Sequence, residues 1–170
     1  VDNPGMVTRM TLSLLADSGF TADRTNFCPQ SASTPPHSDI FCPDLNAAPG
    51  SDTIIKDPHG VFPNQLHAAL IRGNRLYLPN IGAAPEPPVK FDVNVQALVH
   101  VVDADALSEL TNLHVNLNAQ IKNEPVPSDP TSLDKLFGND IVAIDANRDG
   151  TDFLIVSRGG NYVIRAGLDA

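Results

Sequence analysis

Asp145-Ala146-Asn147-Arg148-Asp149-Gly150-Thr151-Asp152 sets oxygen-bearing side chains at nearly alternate positions around a glycine in sixth place. That spacing suits Ca²⁺, which takes about six to eight oxygen ligands from a tightly turned loop. The donors would be Asp145, Asn147, Asp149 and Asp152. Position twelve of such a loop is Val156, so the bidentate glutamate that closes an EF-hand is missing. Asn, Asp and Gly also satisfy hairpin-turn geometry with no ion at all. A plain turn is the favoured reading and calcium the alternative.

The five histidines, His37, His59, His67, His100 and His114, never stand four apart or as His-x-His. No pair therefore has the spacing of metal ligands on one helical turn or strand face. They are expected to be unrelated residues of solvent or groove. His100 lies between Val99 and Val101, so on a strand it faces away from both. Nucleophile motifs are absent: there is no Gly-x-Ser-x-Gly, no P-loop and no Gly-x-Gly-x-x-Gly. Sequence-distant carboxylates such as Asp103 and Asp145 leave a glycosidase-type pair open. Arg158-Gly159-Gly160-Asn161 reads as a two-glycine hairpin turn, with anion binding by its backbone as the alternative.

Cys28 and Cys42 bracket a polar, proline-rich stretch with little apolar surface of its own. Their spacing fits neither a zinc pair nor a thioredoxin-type pair, and no Cys-x-x-Cys-His marks haem attachment. A disulfide is expected, stabilising by roughly 3 kcal/mol through the unfolded state. It implies an extracytoplasmic location, periplasmic or at the cell surface. Alkylation of both thiols without prior reduction would exclude it.

Lys and Arg number 11 against 20 Asp and Glu, a net charge of −9. Phosphate neutralisation needs a basic face, so a nucleic-acid partner is not expected, nor is docking on anionic lipid. No apolar run is long enough to span a membrane as a helix. Apolar residues are 42% of the chain, enough for a core, while 15 prolines and 11 glycines point to short elements joined by many turns.

The elements that must position these residues read as β. Residues 7–15 alternate apolar and polar as a half-buried strand would. From Asp17 to about Gly60 no period is sustained. Leu66–Ile71 is a strand candidate, Arg72-Gly73-Asn74 a turn, and Arg75–Pro79 the returning strand. After a proline-rich insert at 82–88, Gln96–Asp103 is the third. Asp105–Leu113 reads as a short helical turn and His114–Asn118 as weak β structure. Asp140–Asp145, Asp152–Ser157 and Tyr162–Arg165 alternate with glycine turns, a meander.

Residues 66–80 and 141–157 repeat one pattern of strand, Gly-containing turn and strand, each followed by a further strand. Gly73-Asn74-Arg75-Leu76-Tyr77-Leu78-Pro79-Asn80 with Val99-His100-Val101-Val102-Asp103-Ala104 resembles the YVTN-repeat β-propellers, secreted bacterial proteins. The second copy is Gly150–Ser157 with Asn161–Arg165. Pro79, the insert, Ser157 and Arg165 depart from the family pattern. The resemblance implies an all-β chain of decorated propeller blades, each a four-stranded antiparallel meander, from a propeller of roughly 300 residues. It divides the chain into an irregular segment with the stapled loop (1–62), a first blade with the insert (63–138) and part of a second blade (139–170). It also implies that Asn64, His67, Asn139 and Asp140 stand at the mouth of a central channel. The function it implies is an extracytoplasmic scaffold, not an enzyme, that binds a partner protein or small ligand. Further blades or subunits would cover its apolar faces, and a cytochrome or surface protein is a candidate partner. The alternatives are a redox system of the c-type cytochrome peroxidase kind and a propeller hydrolase or lyase.

Overall fold

The computed structural model describes residues 7–16, 18, 60–84, 94–121, 124 and 137–167. In chain order the strands are β1 Phe62–Asn64, β2 Leu70–Arg72, β3 Arg75–Ala83, β4 Val95–Asp103, β5 Ser108–Glu109, β6 Val115–Asn116, β7 Ile141–Ala146, β8 Asp152–Ser157 and β9 Tyr162–Gly167. A 3₁₀ turn at Thr111–Leu113 and a short helix α1, Leu117–Ile121, stand among them. All the strand pairing among the described residues is antiparallel.

The first sheet is built on β3 and β4, which pair along their whole length from Arg75↔Asp103 to Ala83↔Val95. Each outer edge comes in two pieces. β2 lies against Arg75–Tyr77 and β1 against Ile81–Ala83 on one side; β5 and β6 share the free side of β4. The sheet is thus four strands wide, and the structure includes a sheet curled into a half-barrel. The gap between β2 and β1 falls opposite Pro79, which has no N–H to give to a neighbour there. Gln65, at φ 50°, breaks the chain between the two pieces. The strand expected from Leu66 therefore starts only at Leu70, and β3 runs through Pro79 into the expected insert. Gly73, at φ 60°, supplies the turn between β2 and β3 that its sequence announces.

β7, β8 and β9 form the second sheet in chain order, at the strand positions read from the sequence. The inner side chains of the two sheets make one core. Tyr77, Ala97, Val99 and Val101 meet Ile141, Phe153 and Ile155, with Leu70, Ile144, Ile164 and Ala166 packed around them. The Tyr77 and Phe153 rings lie 4.7 Å apart at a tilt, a favourable aromatic arrangement. Arg72 ties the edges: its guanidinium donates to Asp145 Oδ1 at 2.8 Å and to the carbonyl of Ala146 at 3.1 Å. The expectation that further blades or subunits cover Leu66, Ala68, Leu70, Leu76 and Leu78, and Val142, Ile144, Phe153 and Ile155, is corrected for Phe153 and Ile155, which the first sheet buries; Leu66 stays exposed at 50%. Leu154 and Val163, on the outer face of the second sheet, remain over half exposed, at 55% and 56%.

Three local readings also change. Residues 7–15 are not a strand; a single bridge, Leu15 to Val61, fixes this segment, and Ser13 is drawn into side-chain contacts instead. His114–Asn118 is only briefly β, at Val115–Asn116, before α1 begins. The helix starts where Asn116 Oδ1 accepts the backbone N–H of Asn118 at 3.0 Å, a local bond that competes with continued pairing. Asp105–Leu113 holds β5 and the 3₁₀ turn, so its helical reading applies only to the last three residues.

Candidate functional site

Even-numbered residues of β4 face away from the core between the sheets, and His100 is among them. β5 pairs with the end of β4 in the register Val102↔Glu109, which brings the Glu109 side chain to the same region. His114, the residue that closes the 3₁₀ turn, follows. His100, Glu109 and His114 offer ligand-type atoms that all lie within 4.8 Å of one another. The two imidazole centroids are 4.4 Å apart, and His114 Nε2 stands 3.9 Å from Glu109 Oε1. All three are sheltered: His100 is 1% exposed, and the side chains of His114 and Glu109 are 4% and 11% exposed.

Ser13 closes the cluster. Its N–H donates to Glu109 Oε1 at 2.8 Å and its hydroxyl donates to Glu109 Oε2. Its carbonyl accepts from His100 Nε2 at 3.1 Å. On the other side of the ring, Asn80 Nδ2 lies 2.9 Å from His100 Nδ1. An amide donor at Nδ1 and a carbonyl at Nε2 together define a neutral imidazole protonated on Nε2. His114 Nε2 likewise donates to the carbonyl of Val101 at 3.2 Å.

Burial, followed by the proximity of His114, holds the His100 pKa below its ordinary value, against the opposing pull of Ser13 and Glu109. Burial works to raise the Glu109 pKa, but the bonds from Ser13 and the two histidines outweigh it and leave the carboxyl below the usual range. Both groups bind protons more weakly folded than unfolded, so both favour unfolding in acid. Stability is expected to fall as pH drops below about 6.5 through His100, and again below about 4.5 through Glu109. Thermal unfolding followed from neutral pH to about pH 5 checks the His100 limb, and its extension to about pH 3 checks that of Glu109. His100→Gln should flatten the first limb, and an equal slope in the variant would assign it elsewhere.

The sequence reading missed this cluster and placed its histidines in solvent or groove. Spacings of nine and five residues cross two chain reversals, which no strand or helix period reports. The signal was His100 standing among the valines of β4. His67 stands exposed in the loop before β2, while His37, His59, Cys28 and Cys42 lie outside the described residues.

The calcium candidates form the β7–β8 turn. Asn147 Oδ1 accepts from the N–H groups of Thr151 and Asp152 at 2.9 and 3.2 Å, and Gly150 takes φ 69°. Asp145 is paired with Arg72 and Asp152 with Arg165, at 2.8 and 2.9 Å. Asp149 is exposed at the turn's tip. Among the channel-mouth candidates, Asn64 caps the next backbone N–H at Gln65, and Asn139 does so at Asp140. Asp140 accepts two hydrogen bonds from Arg158, at 2.7 and 3.2 Å.

A second feature lies on the core side. An open cleft of about 460 Å³ runs between the sheets, lined by Tyr77, Val101, Leu117, Ile144, Phe153 and Ile164, with Gln120, Glu124 and Arg165 also on its wall. Tyr162 shares the inner face of β9, and its hydroxyl is buried with no hydrogen-bond partner among the described residues. Burial, with Glu124 adding to it, pushes its pKa up to about 12, so it remains a donor at neutral pH.

No protein-family model, no curated protein and no solved structure matches this chain.

Proposed function

We propose that the chain is a non-enzymatic binding scaffold whose inter-sheet cleft takes a small, mainly apolar ligand. The cleft carries this reading: about 460 Å³ of space walled by aliphatic and aromatic side chains, with a few polar groups on its wall, has the size and lining of a small-molecule site. Glu124 there and the net charge of −9 favour a neutral or cationic ligand over an anion. The scaffold is read as blades of a YVTN-like propeller, supported by successive antiparallel strands in chain order and a first sheet four strands wide. The outer face of the second sheet, with Leu154 and Val163 exposed, would take the next blade. An extracytoplasmic location is part of the proposal and rests on the disulfide expected from the sequence between Cys28 and Cys42.

The neutral apolar dye Nile red tests the cleft. Saturable binding is expected, weakened by about tenfold or more in Ala166→Trp, which fills the cleft, and unchanged in Val163→Trp on the opposite face. Equal binding by both variants would place the dye elsewhere and remove the support.

A further inference from the structure

We propose that His100, Glu109 and His114 form a binding site for a divalent first-row transition metal ion of the zinc class. Two imidazoles and one carboxylate are a donor set that zinc takes readily, with a fourth ligand completing a tetrahedron. In such a site neighbouring ligand atoms stand about 3.3 Å apart, given metal–ligand bonds of about 2.0–2.2 Å. The atoms here lie within 4.8 Å of one another, and His114 Nε2 is 3.9 Å from Glu109 Oε1. Small side-chain rotations close the set. The Ser13 carbonyl, 3.1 Å from His100 Nε2, already stands at a ligand-to-ligand distance and is the fourth ligand.

Charge points the same way. Glu109 is a half-buried carboxylate with no Lys or Arg in ion-pair distance among the described residues; His114 alone is that close. A bound cation would supply the missing positive charge in a sheltered position. Ligation requires each histidine to move its proton from Nε2 to Nδ1, with no net proton released. For His100 the new Nδ1–H meets Asn80, whose Oδ1 is buried without a partner. Turning that amide over gives Nδ1–H an oxygen acceptor, the arrangement metal-bound histidines generally have. It costs the 2.8 Å bond from Asn80 Nδ2 to the Leu78 carbonyl. An ion held this way pins residues 7–15 to β4 and β5 through Ser13.

Zinc ion alone is the probe, titrated by equilibrium dialysis into the whole 170-residue chain with any free thiols alkylated. One ion per chain is expected, with affinity reduced at least about tenfold in Glu109→Gln and in His114→Gln and unchanged in His67→Gln. Cobalt in place of zinc should show the visible absorption of a tetrahedral site. Should the cluster variants fail to fold, imidazole NMR of the unaltered protein decides. Zinc-dependent shifts of both His100 and His114 support the site. Shifts confined to other histidines, affinity in the Glu109 and His114 variants unchanged from that of the unaltered protein, or no retained zinc would each overturn it.

Discussion

Phe153→Ala is expected to cost about 3–5 kcal/mol of folding stability, the usual range for deleting a buried aromatic ring. Phe153 is 5% exposed and its ring lies 4.7 Å from that of Tyr77, across the boundary between the sheets. Truncation removes apolar burial, the aromatic contact and part of the cleft wall together. The lining is held by two separate sheets and relaxes only partly into the vacated space, so a cavity term adds to the transfer term. A domain of ordinary stability has roughly 5–15 kcal/mol to lose, so the variant should be marginal. Urea denaturation measures the change. Leu154→Ala, one residue along and 55% exposed, should move stability by no more than about 0.5 kcal/mol. Comparable losses in the two variants would mean that the inner and outer faces of β8 are not as described.

Strand β8 was legible from four consecutive apolar residues, Phe153–Val156, set between turns, while the alternation of inner and outer faces shows in their burial. Asp152-Phe153-Leu154-Ile155-Val156-Ser157 carries turns on both flanks, and the strand has those same limits. β4 was legible as a stretch rich in valine and other apolar residues. Where the reading failed, a tertiary contact overrode the local pattern. Residues 7–15 alternate well enough for a strand, yet Ser13 is engaged by Glu109 and His100, 96 and 87 residues away. Pro79 looked like a strand end, but the split edge of the sheet accommodates its missing N–H. The His100, Glu109 and His114 cluster lay beyond the sequence for the same reason. Its members share neither a period nor an element, and only the β4–β5 register and the 3₁₀ turn bring them together.

Asn118→Leu is expected to cost about 3 kcal/mol or more, although it keeps the side chain's size. Asn118 is 1% exposed and binds the backbone of Gly138 twice. Its Oδ1 accepts the Gly138 N–H at 2.6 Å and its Nδ2 donates to the Gly138 carbonyl at 2.9 Å. Asn116 Nδ2 donates to the Ser18 carbonyl at 2.6 Å and to Gln96 Oε1 at 3.0 Å, so one buried polar network joins β4, β6, α1 and the approach to β7. Gly138 is closely packed at this point, since a Cβ there would stand 2.9 Å from that of Ala97. Leucine would leave a buried donor and a buried acceptor unpaired, each costing about 1–3 kcal/mol. Hydrogen exchange at the Gly138 amide supplies the local readout, slow in the unaltered protein and fast in the variant. A loss below about 1 kcal/mol with that amide still protected would show that Gly138 is held by something other than Asn118. The two sheets would then be joined there without the polar network, through the apolar core alone.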